Sequence, residues 1–199
     1  MLPLTEHTGT AVPLARSDVD TDQIIPSDYC RRLTKTGFAP GLFAQWRQDE
    51  DFVLNQSRYA GATVLVAERN FGTGSSREPA VWALRDWGFA VVVAEGFGDI
   101  FERNALKNGL LTVRLPTAAV TEVRSAVEAD PALLVTVDLV GLEVRLGERR
   151  WSFDVDGHAR WLLLNGLDEI DLTLSHEDAI AAYERGRPHW LAPGTAGVR

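Results

Sequence analysis

A chain of 199 residues, 45% hydrophobic and 24% charged, has room for one domain with a sizeable core. Acidic side chains outnumber basic ones by 28 to 20, a formal charge of −8, which argues against nucleic acid or an anionic membrane as partner. The single cysteine, Cys30, excludes an internal disulfide and any cysteine-ligated cluster built from this chain alone. No stretch is long and apolar enough to span a membrane, and Met1 to Thr10 lacks the apolar run of a signal peptide, so the expected location is the cytoplasm.

No internal repeat interrupts the pass along the chain. The part up to about Leu54 is rich in turn formers and charge, with Asp18 to Asp22 leading into Ile24-Ile25 and a stop at Pro26. Gly41 to Arg47 reads as a short helix with Leu42, Phe43 and Trp46 on one face. Ala62 to Ala67 is β-branched and apolar, as a buried strand should be. A glycine-rich turn follows, and Ser75 or Ser76 offers an N-cap for a helix that runs to about Trp87 and closes at Gly88. Ala90 to Ala94 is the next strand, Asp99 to Lys107 the next helix, and Leu110 to Leu115 a third strand. This alternation predicts a parallel α/β arrangement. Beyond it, Val135 to Leu139 and Leu142 to Leu146 read as a hairpin around Gly141, with Trp151 to Val155 as a further strand. A terminal helix is expected over Glu177 to Arg185, and a frayed tail over 192–199.

The chemistry concentrates in Asn70-Phe71-Gly72-Thr73-Gly74-Ser75-Ser76-Arg77-Glu78. A strand delivers this loop and a helix leaves it, so unpaired backbone N–H groups and the positive end of a helix dipole meet there. Gly72 and Gly74 let a ligand come close to the backbone, Arg77 offers a planar fork for a carboxylate, and two hydroxyls stand beside it. The plainer alternative is an ordinary helix cap with Arg77 paired to a surface acid. A dinucleotide fingerprint is excluded because Arg77 stands where the third glycine belongs, and the phosphate loop and hydrolase elbow are absent. Asp18 to Asp22 begins like a calcium loop, but Gln23 and Tyr29 stand at its glycine and glutamate positions. Those aspartates are then a turn, or one of them is a hydrogen-bond partner at a site. His7, His158, His176 and His189 have no ligand-like spacing.

Asp20-Thr21-Asp22-Gln23-Ile24-Ile25-Pro26 and Phe71 to Glu78 together resemble the small subunits of 3-isopropylmalate dehydratase, in the aconitase superfamily. Thr36-Gly37-Phe38, Ala105 to Leu111 and Leu163 to Asp168 extend the resemblance in the family's order over nearly the whole chain. What it implies is one swivelling β/β/α three-layer α/β domain over 1–199, like the aconitase C-terminal domain. It also implies an iron-sulfur large subunit that carries a [4Fe-4S] cluster, with no cofactor and no metal ligand in this chain. The implied reaction interconverts 2-isopropylmalate and 3-isopropylmalate through 2-isopropylmaleate, in leucine biosynthesis, and only with the large subunit present.

By the same resemblance Ser75 is the base for the carbon-bound proton and Asp22 orients a catalytic group of the partner. Ser76 and Arg77 hold a substrate carboxylate, with Gly74 and Lys35 beside them, while Tyr29, Cys30 and Arg31 read the substrate's side group. Three departures stand out: Pro79 for a usual histidine, Lys35 for a usual arginine, and Cys30 for a usual leucine. Arg31 and Arg32 are either solvated charges or, if one points inward, suited to an extra anionic group. The departures keep two alternatives open: a sibling dehydratase acting on another substituted malate or homocitrate-like acid, and a paralogue that binds without catalysing.

Overall fold

The computed structural model describes residues 1–31, 34–74 and 77–188. Seven strands form one sheet in the order β4-β3-β2-β1-β5-β6-β7. They are β1 (Glu6–Leu14), β2 (Val64–Ala67), β3 (Val91–Ala94), β4 (Leu111–Arg114), β5 (Leu134–Asp138), β6 (Glu143–Leu146) and β7 (Arg149–Ser152). The long first strand belongs to both halves. Its start pairs antiparallel with β5, Glu6 opposite Asp138 through Thr10 opposite Leu134. Its end pairs parallel with β2, Ala11 opposite Val64 through Leu14 opposite Ala67. The parallel half continues through β3 and β4, and the antiparallel half through β6 and β7.

Burial explains this division. Strands β2 and β3 are buried at every residue, as both faces of a parallel sheet are covered by its crossovers. Strand β7 is exposed or half-exposed along its length, as an edge strand can be. The crossovers are α2 (Glu78–Trp87) and α3 (Asp99–Lys107), which pack side by side, and α4 (Thr117–Ala129) returns over β1 and β2. Helices α5 (Gly157–Asn165), α6 (Glu169–Leu174) and α7 (Glu177–Gly186) finish the described chain. A four-residue helix, α1 (Thr21–Ile24), and five 3-10 turns occupy the stretch between β1 and β2.

Several expectations need correction. The turn-rich opening contains β1, a central strand. Its Pro13 is tolerated because the backbone of Thr10 and every second residue after it faces β2, which leaves Pro13 on the side where β5 has ended. Gly41 to Arg47 is not a helix: Phe43 takes φ 46, so the segment breaks into 3-10 turns at Ala39–Gly41 and Trp46–Gln48. The three apolar residues still gather, with Leu42 and Phe43 buried and Trp46 stacked on Phe43 at 5.3 Å. The last strand is Arg149–Ser152 instead of Trp151 to Val155, because the two-residue turn Gly147-Glu148 sets Leu146 opposite Arg149. Helix α2 starts at Glu78, with Arg77 as its N-cap and no side-chain cap. Pro79 is suited to the opening of a helix and places that start. Ser75, Ser76 and the tail 192–199 lie outside the described residues.

Candidate functional site

Three loops meet at the carboxyl ends of β1, β2 and β3, where parallel α/β sheets bind their ligands. They interlock through the backbone. Gly72 and Thr73 donate to Val19 O at 2.7 and 3.1 Å, and Thr21 donates back to Thr73 O at 3.2 Å. Phe71 donates to Gly96 O and Gly98 donates to Phe71 O, both at 2.9 Å. Beneath them Phe71, Phe97 and Phe101 form a cluster, with the rings of Phe71 and Phe101 edge-to-face at 5.4 Å.

The glycines here answer to space. A Cβ on Gly72, which sits at φ 74, would lie 2.2 Å from Phe101 Cγ, and one on Gly98 would lie 2.5 Å from Gly72 O. Gly74, at φ 83, has among the described residues only Asp20 Cβ near it at 3.4 Å, so its conformation is what requires glycine.

Each aspartate of the first loop has its own task. Asp18 takes φ 56 and accepts from Arg69 at 2.9 Å and Asn70 at 3.0 Å. The Asn70 hydrogen bond, with the Arg69 charge, holds the Asp18 carboxyl below its usual range. Asp20 caps α1 in a reciprocal box with Gln23. Asp22 reaches across to Arg77, with Nη1 to Oδ1 at 2.8 Å and Nη2 to Oδ2 at 3.5 Å. The turn reading therefore holds for Asp18 and Asp20, while Asp22 and Arg77 are brought together from positions 55 apart. They line a cleft of about 370 Å³ with Asp20, Gln23, Pro26 and Gln45. A larger groove of about 540 Å³ lies between α3, β4 and α5 and includes none of the candidate residues. Chemistry, not volume, selects the smaller cleft, because of the two it is the one that holds the Asp22–Arg77 pair.

The remaining candidates, outside the lining of this cleft, differ in how firmly they are held. Tyr29 packs on Gly41, so tightly that a Cβ there would meet its ring at 2.7 Å. Cys30 Sγ donates to Pro26 O at 3.8 Å and is half-buried against the core. Arg31 pairs with Asp28 at 3.2 Å with both side chains 83% exposed, so it is a solvated charge. Lys35 is exposed and makes no ion pair among the described residues. Its segment is anchored by Phe38, which donates its N–H to Asp86 at 2.7 Å and sets its ring 5.4 Å from Trp82. Arg32 lies outside the described residues.

Of the histidines, His7 is half-buried beside Thr63 Oγ1 at 2.7 Å, and burial lowers its pKa. His158 stacks on Trp161, His176 precedes α7, and His189 lies outside the described residues. Among the described residues, no group of three or more His, Cys, Asp or Glu side chains could hold a metal ion.

One polar residue close to the loop escaped the sequence reading. Asn108, at the end of α3, donates to Glu78 Oε1 at 2.9 Å and accepts from Trp82 Nε1 at 2.9 Å. It lies within the matched Ala105 to Leu111 segment, but no spacing rule connects it to Glu78.

Comparison with known proteins finds relatives over nearly the whole chain. Residues 1–118 match the aconitase C-terminal domain family, and residues 169–191 match the C-terminal domain of 3-isopropylmalate dehydratase small subunits. A 3-isopropylmalate dehydratase small subunit of Acidothermus cellulolyticus is 60% identical over 190 residues, covering 96% of each chain. One of Salinispora arenicola is 58% identical over 191 residues, covering 96% of this chain and 98% of the relative. The crystal structure of a 3-isopropylmalate dehydratase from Methanocaldococcus jannaschii superposes with a TM-score of 0.66 at 28% identity, over 89% of this chain and 98% of that one.

Proposed function

Because the chain belongs to the family of 3-isopropylmalate dehydratase small subunits, we propose that the Asp22–Arg77 cleft is its half of a divided active site. The protein is a subunit of a hydro-lyase of leucine biosynthesis and works in a complex with a large subunit. The observation that carries the assignment is the Asp22–Arg77 pair itself. It joins two loops at the carboxyl ends of neighbouring parallel strands and faces outward.

The reaction moves a hydroxyl between adjacent carbons of isopropylmalate. Water leaves to give 2-isopropylmaleate and returns with the positions of proton and hydroxyl exchanged. A dicarboxylate needs a rigid cationic fork. Arg77, 33% exposed, presents one, and Asp22 holds it in place until a substrate carboxylate shares it. Gly74 lets the substrate approach the backbone, Ser76 adds a hydroxyl donor, and Lys35 adds charge at the cleft's margin. Ser75 takes the carbon-bound proton. A serine does this only as an alkoxide, so backbone N–H groups and positive charge must stabilise it. Asp22, once shared, orients a catalytic group of the large subunit. Tyr29 and Cys30 border the side-group end, and Arg31, committed to solvent and Asp28, does not bring an extra cation there.

A [4Fe-4S] cluster belongs on the large subunit in this reading. Cys30 is the only cysteine of the chain, and one thiolate does not supply the cysteine set that such a cluster takes. The whole chain, 1–199, acts as one swivelling domain that closes over that partner. Ser75→Ala in the assembled complex should abolish turnover of 2-isopropylmalate while leaving assembly intact. A fully active variant would remove Ser75 from its role.

A further inference from the structure

We propose that Asn108 is a positioning residue for Arg77, acting through Glu78 from the far end of α3. This rests on the carboxylate-binding reading of Arg77 and identifies what holds that residue in place. Arg77 is the N-cap of α2, so its backbone is set by how the first turn of that helix is anchored. Among the described residues, no side-chain cap anchors that turn. Arg77 makes no side-chain cap, and Pro79 in the first turn has no N–H to give.

Asn108 supplies the anchor. Its side-chain amide donates to Glu78 Oε1 at 2.9 Å and to Asn104 O at 2.8 Å, and accepts from Trp82 Nε1 at 2.9 Å. The chemistry of the partners sets the amide's orientation. An indole N–H can only donate and a carboxylate can only accept, so the oxygen must face Trp82 and the nitrogen Glu78. A single side chain thereby ties two successive turns of α2, at Glu78 and Trp82, to the C-terminus of α3.

The other end of α3 holds the opposite shoulder of the same loop. Gly98, its N-cap, donates to Phe71 O at 2.9 Å, and Phe101 in its first turn packs against Phe71 and under Gly72. Helix α3 with its two caps, Gly98 and Asn108, therefore acts as a splint. It grips the loop before Thr73 and again after Arg77. The resemblance places Asn108 in a matched segment but gives it no task, and it touches neither Asp22 nor the cleft lining.

The test uses the assembled dehydratase. Asn108→Asp keeps the shape but turns an acceptor toward the Glu78 carboxylate. KM for 2-isopropylmalate should rise about tenfold, as expected when one charge-assisted hydrogen bond stops holding a binding group, with kcat changed less than threefold. Adding Glu78→Gln restores the bond to residue 78 with donor and acceptor exchanged, though not the one to Asn104 O, and should return KM to within about threefold of the parent. A purely structural role would lower the active fraction and the unfolding midpoint without moving KM. If Asn108→Asp does not fold, Glu78→Ala breaks the same bond from the other side and should raise KM similarly. Arg77→Ala is the reference variant. If it raises KM and the Asn108 and Glu78 variants do not, the positioning role is wrong and the cleft assignment stands. If Arg77→Ala leaves KM unchanged, both fall.

Discussion

The close approach of Gly72 to Phe101 can be separated from backbone strain by comparing two glycines. Gly72 sits at φ 74 and Gly61 at φ 78, so an added Cβ meets nearly the same conformational penalty at both. That penalty is about 1–2 kcal/mol for a residue forced into the left-handed region. Their surroundings differ completely. Among the described residues nothing lies within 4 Å of a Cβ on Gly61, whereas a Cβ on Gly72 would lie 2.2, 2.6 and 2.7 Å from Phe101 Cγ, Cδ1 and Cβ. Rotating the ring cannot relieve the last contact, because Phe101 Cβ is fixed by α3. Overpacking of this kind adds about 1–3 kcal/mol. Gly61→Ala should therefore cost about 1–2 kcal/mol and Gly72→Ala about 2–5 kcal/mol, measured by urea unfolding of the free subunit. In a chain of this size each kcal/mol lowers Tm by about 2–4 °C. Gly72→Ala should also displace the loop that carries Arg77 and weaken turnover in the complex, which Gly61→Ala should not. Equal losses at the two positions would refute the close packing of the loop on α3.

Two further predictions concern acid. Burial beside Thr63 lowers the pKa of His7, so the fold favours its neutral form. The stability this gives is complete above the ordinary value of 6.5 and declines as pH falls below it. His7→Gln should flatten the fall in Tm between pH 7.5 and 5.5, about one unit either side of the ordinary histidine value; an unchanged slope would contradict the assignment. Asp18 is held below its ordinary 3.8 by Asn70 first and Arg69 second, so its contribution is present above that value and is lost as pH falls through the lower folded one. Asp18→Asn tolerates φ 56 and removes the charge together with one of the two acceptors, and should reduce the steepness of acid unfolding below about pH 4.

Much of the parallel half is legible in the sequence because its signals are local. Helix α3 falls where Gly98 and Gly109 bracket it, and β2 and β3 are unbroken β-branched runs. Strand β1 was hidden by Gly9 and Pro13, whose tolerance depends on where β5 stops, a fact of pairing and not of composition. Helix α4 was missed although Ala119, Val120, Val123 and Val127 form a buried stripe at helical spacing, because its β-branched residues weaken the local signal. At the site, Arg77 is identifiable from its loop and Asp22 through resemblance, but their pairing with each other is not. Nor is the link from Asn108 to Glu78, since contacts between residues 55 and 30 apart exist only once the sheet has placed their loops.

The central claim, a site divided between two chains, is tested most directly by anaerobic turnover of 2-isopropylmalate. This chain alone is compared with the same chain mixed with a reconstituted large subunit. Turnover in the mixture and none with either subunit alone is the predicted result. Turnover by this chain alone, or none from a demonstrably formed complex with its cluster intact, would contradict the account.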